Sequence, residues 1–575
     1  GTRNLAIMKN ALNASDTEDD NIAIGYNAMT TNTAGGTGNI ALGNYALDAT
    51  TSGDNNIGVG LNALGTNTTG SDNVAVGVIA LKLNSTGDKN VAIGRSALED
   101  HTTGDSNTAV GYEALNKNTT GTMNTAVGAF ALDANVGAGN YNTAMGGDSL
   151  SANTTGDQNT AFGYGALEAN TTADGNTAFG QGAAAANTTG VRNIAIGKEA
   201  YTASDTENDN IAIGFQAMLA NTAGGSENIA IGSYALNDLT SGDYNTVVGH
   251  YAGDVLTTGG SNTMIGQQAG SAQTTASNNA FVGAFAGEAT TTGADNTAVG
   301  YGALKANTTA TRNTAVGSDA LTTNTTGVQN TAVGKAALTA NLTGENNTAV
   351  GYTAGNSVTD GPGNTYIGMT AGYTNTTGDY NTAVGHAALY TAGAGTNYNT
   401  ALGANALRLT TTGGNNIAIG FSAGEGITTG ANNIAIGTNT LDATLTANQN
   451  IAIGNGAGGL KTAGSDCVYI GTSSGAAATT SDNNTAVGTL TLQHATTGGG
   501  NAAFGANCLR EVTDATRNTG LGDAAGLAIT TGSNNCMIGA DAGRAGSPGG
   551  NRTTASNIIA IGDENIDTCN IQVDW

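Results

Sequence analysis

The chain of 575 residues is poor in the residues on which most folds depend. It has only 2 prolines, 10% charged residues and 5% aromatic residues, whereas 90 residues are glycine. High glycine with almost no proline and no Gly-X-Y period excludes collagen. Disordered chains usually carry many charges and few β-branched residues, and this chain has few charges and many Thr, Ile and Val. The composition therefore favours an ordered repeat structure.

Charged residues are scarce and are not clustered. The net charge is −26 at pH 7, spread thinly along the chain. Nucleic-acid binding needs clustered Lys and Arg, and anionic membrane surfaces attract the same residues. No apolar run approaches the length that crosses a bilayer. We therefore expect no nucleic-acid partner and no membrane insertion of this segment.

Cysteines are few and lie late in the chain. They are Cys467, Cys508, Cys536 and Cys569, and no pair has the close spacing of a metal knuckle. The first three occupy different positions of the repeat described below, which favours a role as small core residues. Disulfides between chains are the alternative.

The opening residues contain neither an initiator Met nor a signal peptide, so we expect a fragment or a mature product.

One motif repeats along the whole chain. In the segment 295–338, Asn-Thr-Ala-Val-Gly begins at Asn296, Asn313 and Asn330, which are 17 residues apart. We number each coil from this Asn, so that the consensus N-[TIV]-A-[VI]-G-Y-G-A-L-x-x-N-T-T-G-D-x fills positions 1 to 17. About 33 coils follow one another, with four 18-residue steps and a final step of 23 residues. We expect a continuous array over 1–546, and an inserted loop, the last degenerate coil and a tail over 547–575.

The pattern predicts a parallel β-solenoid with two short strands in each coil. Positions 2 and 4 are β-branched or aliphatic, and alternation with a period of two is typical of a strand. Gly at position 5 bends the chain, Ala and Leu at positions 8 and 9 begin a second strand, and Asn-Thr-Thr-Gly forms a turn. These interruptions disfavour helices. Coils stacked about 4.8 Å apart would build a rod of roughly 150 Å.

Two columns of side chains predict how such a rod is held together. Stacked Asn side chains at position 1 would hydrogen-bond along the rod, as in other stacked β structures. If Ile and Val at positions 2 and 4 fill the interior, Ala at position 3 points outward and forms a longer apolar column than a monomer tolerates. We therefore expect this face to pack against identical chains, with a homotrimer as the favoured closed arrangement.

Carboxylates in neighbouring turns are candidate cation ligands. Asp follows the turn Gly at Asp88 and Asp105, which lie in adjacent coils. Two acidic loops, 16–20 and 205–209, are further candidates, and the first of them contains Asp16 and Asp19. Stacked carboxylates could hold Ca²⁺, which prefers oxygen ligands. Solvated turn residues are the alternative, because the nonapeptide calcium-binding repeat is missing.

Glycan acceptors of the Asn-x-Thr/Ser type recur at position 12. In a host that N-glycosylates its proteins, they would form a glycan ladder along one edge of the rod. The alternative is that Asn-Thr-Thr-Gly is simply a good turn. The candidates are Asn67, Asn84, Asn118, Asn153, Asn170, Asn187, Asn307, Asn324, Asn341 and Asn375.

No arrangement of residues indicates catalysis. His250 and His386 share position 6 but lie eight coils apart, about 38 Å by rung spacing, so they cannot share a ligand within one chain. Nucleophile-elbow, Walker and zinc-protease patterns are missing. Rows of threonine suggest ice binding as a remote alternative. Adjacent Thr residues in a turn point in different directions, however, which argues against a single ice-binding face.

The motif Asn-Thr-Ala-Val-Gly and its variant Asn-Ile-Ala-Ile-Gly (193–197, 210–214, 433–437) resemble the head repeats of trimeric autotransporter adhesins of the Yersinia adhesin type. The longer form NTAVGYGAL…NTTG is similar to repeats in tail-fibre-like proteins of phages and aquatic bacteria. The resemblance covers essentially the whole chain, although this coil is longer than the adhesin coil. It implies a trimeric left-handed β-roll that serves as a scaffold.

These observations predict a non-enzymatic, extracellular structural fibre. It would be the shaft or head that displays an attachment or receptor-binding element on a virion or cell surface, as a phage tail fibre or a bacterial adhesin does. Its partners would be itself, as a homotrimer or filament, and a host-surface glycan or protein; no cofactor is expected apart from Ca²⁺. The alternative is a subunit that polymerises end to end into an extracellular filament, glycosylated or not, because uncapped solenoid ends associate readily.

Overall fold

The computed structural model describes residues 1–14, 17–137, 139–544 and 552–563. These residues form short parallel strands joined by turns, and no helix occurs among them. They fall into two compact units, Gly1–Thr292 and Gly293–Trp575. Each unit is a parallel β-solenoid with a coil of 17 residues, so the predicted all-β repeat fold is confirmed.

Each strand spans three residues, from position 2 to position 4 of its coil. The strands of the first unit are β1 (Leu5–Ile7), β2 (Ile22–Ile24), β3 (Ile40–Leu42), β4 (Ile57–Val59), β5 (Val74–Val76), β6 (Val91–Ile93), β7 (Thr108–Val110), β8 (Thr125–Val127), β9 (Thr143–Met145), β10 (Thr160–Phe162), β11 (Thr177–Phe179), β12 (Ile194–Ile196), β13 (Ile211–Ile213), β14 (Ile229–Ile231), β15 (Thr246–Val248), β16 (Thr263–Ile265) and β17 (Ala280–Val282).

The second unit continues the same pattern. Its strands are β18 (Thr297–Val299), β19 (Thr314–Val316), β20 (Thr331–Val333), β21 (Thr348–Val350), β22 (Thr365–Ile367), β23 (Thr382–Val384), β24 (Thr400–Leu402), β25 (Ile417–Ile419), β26 (Ile434–Ile436), β27 (Ile451–Ile453), β28 (Val468–Ile470), β29 (Thr485–Val487), β30 (Ala502–Phe504), β31 (Thr519–Leu521), β32 (Cys536–Ile538) and β33 (Ile559–Ile561).

Within each unit, every strand pairs in parallel and in register with the strand of the next coil. Ala298 lies opposite Ala315 in the second unit. In the first unit an 18-residue step leaves the register intact, since its extra residue stays in a turn and Ile22 still pairs with Ile40. β32 and β33 also pair across the 23-residue step, although residues 545–551 within that step lie outside the described part of the chain.

The predicted second strand is wrong. Each described coil has one strand, and positions 6 to 11 form turns. The backbone of Glu113 and Leu115, at positions 7 and 9, is left-handed, with φ of 55° and 51°. Few non-glycine residues adopt such φ values, yet Leu at position 9 adopts them in coil after coil. The turns also stack, since the N–H of Leu115 donates to the carbonyl of Ala131 at 3.0 Å.

The prediction of which side of the strand faces the interior is wrong. Ala298, at position 3, has no exposed surface, whereas Thr297 is half-buried and Val299 is 38% exposed. The interior is filled by position 3 together with positions 8 and 9, which are Ala303 and Leu304 in this coil. Leu at position 9 occupies the space that a larger side chain at position 3 would need, so most coils admit only a methyl group there.

Gly at position 5 has the bending role predicted for it. Gly300 has a φ of 132°, and a Cβ added there would lie 2.7 Å from the carbonyl of Gly317 in the next coil. Both the backbone angle and the close approach of the next coil therefore require glycine.

Candidate interaction surface

Two columns of asparagine line the interior of the coil. At position 1, the N–H of Asn90 donates to Asn73 Oδ1 in the preceding coil at 2.9 Å, and Asn73 Nδ2 donates to the carbonyl of Gly87 at 2.8 Å. At position 12, Asn84 Nδ2 donates to the same Gly87 carbonyl at 3.0 Å and to Asn67 Oδ1 at 2.9 Å. The predicted hydrogen-bonded ladder at position 1 is therefore confirmed, and a second ladder runs beside it.

The second column contains all the predicted glycosylation candidates. A glycan would have to be carried by the amide nitrogen, but Asn324 Nδ2 donates instead to the carbonyl of Gly327 at 2.9 Å inside the coil. A glycan ladder along one edge therefore does not fit the folded chain. The ten candidates without exposed surface are Asn67, Asn84, Asn118, Asn153, Asn170, Asn187, Asn307, Asn324, Asn341 and Asn375.

Aspartates at position 16 cap backbone N–H groups of the preceding coil. Asp105 Oδ1 accepts from the N–H of Asp88 at 2.8 Å, and Asp88 Oδ1 accepts from the N–H of Ser71 at 2.7 Å. The part of the chain that the structure describes holds no group of three His, Cys, Asp or Glu side chains arranged to bind a metal. Ca²⁺ binding at Asp88 and Asp105 stays a prediction.

The first acidic loop repeats this capping arrangement. Asp19 accepts hydrogen bonds from the N–H and the hydroxyl of Thr2, and Asp20 forms an ion pair with Arg3 at 2.5 Å. Asp16, the other candidate cation ligand in this loop, lies outside the described residues. The carboxylate of Asp19 therefore already has donors within the chain.

The second acidic loop is folded around a buried glutamate. Glu207 Oε2 accepts from Ser204 Oγ at 2.6 Å and from the N–H groups of Asp205 and Thr206 at 3.0 Å each. Its other oxygen accepts from the N–H of Gly224 at 3.0 Å. Four donors surround this carboxylate, so the centre of the loop holds an anion of the chain itself rather than a place for a cation.

His101 occupies position 12 in place of Asn, a role that the sequence analysis missed. The ring is buried, with Nδ1 3.0 Å from the carbonyl of Asn118 and Nε2 2.6 Å from that of Gly104. Burial lowers the pKa of His101, and the two carbonyls oppose that effect. The register alone, eleven residues after Asn90, could have revealed this substitution. His250 and His386 are exposed on the surface.

The outer face of the strands exposes a row of large apolar side chains. Ile417 and Ile419, at positions 2 and 4 of one coil, are 39% and 36% exposed. At position 4 of adjacent coils, Phe162 and Phe179 stack with ring centroids 4.6 Å apart. We call the side chains at positions 2 and 4 the strand face. It is an apolar surface that runs along each unit, of the kind that monomers rarely leave uncovered.

Aromatic residues at positions 6 and 7 flank shallow grooves beside the turns. Tyr251 stacks on Tyr234, with centroids 4.7 Å apart, and contributes with Asp254 and Gln268 to a groove of about 450 Å³. Burial, followed by the nearby Asp238, raises the pKa of Asp254.

A second groove of the same make-up lies seven coils earlier. It measures about 410 Å³ and is lined by Phe130, Asp133 and Asp148. Burial raises the pKa of Asp133 to about 6. Each groove thus combines an aromatic ring at position 7 with a half-buried carboxylate at position 10.

Comparison of the chain with protein-family models and with curated proteins gave no match. Within the described residues, no helix has the length and apolar character needed to cross a membrane.

Proposed function

We propose that the chain is the repeat segment of a non-enzymatic extracellular fibre, of the phage tail-fibre or bacterial adhesin type, that displays an attachment element. The observation that carries the proposal is the strand face. Coils of one design form it repeatedly, and it leaves Ile, Val and Phe side chains in contact with water in each unit. Such a surface favours association with further copies of the same chain.

The copies associate through the strand face and not through the alanine column. Ala at position 3 is buried inside its own coil, so it offers a partner nothing to contact. Position 4 offers a row of aliphatic and aromatic groups with the strand spacing of about 4.8 Å, and position 2 adds Ile, Val or Thr in most coils. A closed homotrimer would cover this face on all three chains, in line with the adhesin-like motif.

The attachment element includes the two aromatic grooves. An aromatic ring beside a carboxylate suits a pyranose, whose C–H groups pack on the ring while its hydroxyls donate to the carboxylate. The groove of Tyr251 and Asp254 is the larger one. A host-surface glycan is therefore the receptor class that we favour over a protein.

Self-association is tested by placing charge on the strand face. The triple variant Thr160→Lys, Thr382→Lys and Thr519→Lys alters three exposed position-2 residues. Because repulsion and desolvation oppose burial of the ammonium groups, we expect light scattering to show a fall from a multiple of the chain mass to the mass of one chain.

The matched control makes the same chemical change on the turn edge. Thr155→Lys, Thr377→Lys and Thr531→Lys alter exposed position-14 residues of the same coils or their neighbours. We expect this variant to keep the mass of the assembly. Equal dissociation of both triple variants, or a wild-type chain that is monomeric throughout, would contradict the proposal.

Ice binding is a second candidate for the same face. From β18 to β24, position 2 is Thr in every coil, with an aliphatic side chain at position 4. The hydroxyls therefore form a regular row along the strand face. A thermal-hysteresis measurement on the monomeric lysine variant and on the wild type separates the two functions, since ice binding needs the face uncovered and uncharged.

A further inference from the structure

One coil of the second unit departs from both asparagine columns at once. In an ordinary coil, the amides at positions 1 and 12 donate to one shared carbonyl at position 15, as Asn73 and Asn84 do to Gly87. In the coil that begins at Cys467, position 1 is the cysteine itself and position 12 is Ala478. The space and the acceptor that two amides normally use are therefore free for other groups.

The two vacated places are taken by a lysine and the cysteine. Lys461 reaches up from the coil below, and its Nζ donates to the carbonyl of Ser481 at 2.6 Å. Cys467 Sγ donates to the same carbonyl at 3.4 Å and accepts from the N–H of Asn484 at 3.5 Å. An amine and a thiol thus converge on one oxygen atom, and neither residue has any exposed surface.

The surroundings of the amine disfavour its charged form. Lys461 forms no ion pair among the described residues, and its Nζ lies 5.8 Å from the centroid of the Tyr469 ring. Burial is the main influence and lowers the pKa of Lys461, while Cys467 opposes that effect. A buried amine without a counter-ion is costly to keep charged, so a reaction that removes its charge would stabilise the coil.

We propose that Lys461 and Cys467 are a modification site, at which hydrogen peroxide drives formation of a sulfenamide bond between Nζ and Sγ. In the first step the sulfur attacks peroxide, which yields a sulfenic acid and water; the sulfur is oxidised and the peroxide is reduced. In the second step Nζ attacks the sulfur, an N–S bond forms, and the sulfenic oxygen leaves as water with one proton from the amine. Sulfenic acids condense with nitrogen in this way.

The bond is reversible by thiols. Two thiol molecules reduce the sulfenamide to the free amine and the free cysteine and leave as a disulfide. Cys508 provides an internal comparison, because it is also buried but forms no hydrogen bond with a lysine among the described residues. Burial raises the pKa of Cys508 to about 12, so this thiol stays protonated and unreactive.

Tryptic digestion followed by mass measurement of the peptides detects the cross-link directly. Between Arg408 and Arg510, Lys461 is the single trypsin site, and acylated or thiolated lysine is not cleaved. After treatment of the folded chain with hydrogen peroxide, we expect loss of peptides 409–461 and 462–510. In their place we expect one uncut peptide, 409–510, lighter by two hydrogen atoms than the unmodified sequence. Dithiothreitol should restore cleavage.

Two results would overturn the proposal. One is full cleavage after Lys461 with Cys467 unchanged after peroxide treatment. The other is full cleavage with Cys467 carried on to the sulfinic acid, which would show that the amine does not intercept the sulfenic acid. The wild-type chain alone decides between these outcomes. Lys461→Arg, which keeps a cation but removes the primary amine, should give the second result, and Cys508→Ala should leave the cross-link unaffected.

Discussion

The ring of Tyr366 fills the space beside Gly372 in the same coil: a Cβ at Gly372 would lie 2.2 Å from two atoms of the ring. Tyr366 replaces the usual Ala at position 3, and Gly372 replaces the usual Leu at position 9. The same exchange joins Phe281 to Gly287, with a distance of 2.4 Å. In these coils a large side chain at position 3 is therefore matched by glycine at position 9.

This relationship predicts strong coupling between the two positions. Tyr366→Ala alone should cost about 3–5 kcal/mol because it opens a cavity, and Gly372→Leu alone should cost about 1–3 kcal/mol because it overfills the core. The double variant recreates the consensus Ala and Leu in this coil and should lose much less than the sum of the two single variants; the space that the ring fills beside Gly355 in the preceding coil stays empty. Denaturant unfolding of all four proteins measures the coupling; additive losses in the double variant would contradict the packing account.

The ladder at position 1 should contribute more to stability than exposed polar residues do. Asn330 donates from its N–H to Asn313 Oδ1 and from Nδ2 to the Gly344 carbonyl, and its Oδ1 accepts from the N–H of Asn347. Asn330→Ala leaves buried groups unpaired, at about 1–3 kcal/mol for each. Hydrogen exchange should speed up most at Asn347. The exposed residue Thr326, changed to Ala, is the control; if both variants lose the same stability, the ladder is not structural.

Because the side chain at position 16 caps a backbone N–H group, we expect its accepting oxygen to be needed for stability and its negative charge not to be. Asp105→Asn keeps the Oδ1 acceptor for the N–H of Asp88, as Asn140 already does for Thr122 at 2.8 Å. This variant should match the wild type, whereas Asp105→Ala should lose about 1 kcal/mol. Thermal unfolding with and without added Ca²⁺ checks both points. Stabilisation by Ca²⁺ that disappears in Asp105→Asn would favour the cation site instead.

The groove of Asp133 predicts a pH dependence of stability. The pKa of Asp133 is about 6 in the folded chain because of burial, above the value of about 3.9 in an unfolded chain. The folded chain therefore holds the proton longer, and stability falls as pH rises from about 4 to about 6.

Asp133→Asn should abolish that fall. The full pKa shift corresponds to about 3 kcal/mol, but Asp133 is half-exposed, so we expect a gain of only about 1 kcal/mol at pH 7. Unfolding measured at several pH values tests this. The exposed Asp72→Asn is the control, and an equal pH slope in Asp133→Asn and the wild type would contradict the assignment.

The sequence carries the period, the strand, the glycine bend and the asparagine ladder, because each depends on residues that recur at fixed spacing. It does not determine which side of the strand faces the interior. Alternation shows that Thr297 and Val299 oppose Ala298, but the side that faces inward is decided by how tightly the turns close the coil. Leu304 takes a left-handed backbone that its intrinsic preferences disfavour, so the second strand was predicted where a turn exists.

The departures from consensus could have been located by register. His101 and Lys461 both fall at position 12, where Asn is expected, and a polar residue that replaces a laddered amide is expected to lie inside the coil. What the register could not supply is which carbonyl each side chain reaches. Lys461 bonds to Ser481 in the following coil, a contact that depends on the length of the side chain and on the missing amide at Ala478.

The mass of the intact chain in dilute solution, determined by light scattering, tests most directly the claim that the strand face is covered by further copies. We expect three times the chain mass for the wild type, and the mass of one chain for the triple lysine variant on the strand face. A wild type that stays a folded monomer over the whole concentration range would show that Ile417, Ile419 and the equivalent side chains remain exposed to water. The strand face would then not be covered by further copies of the chain.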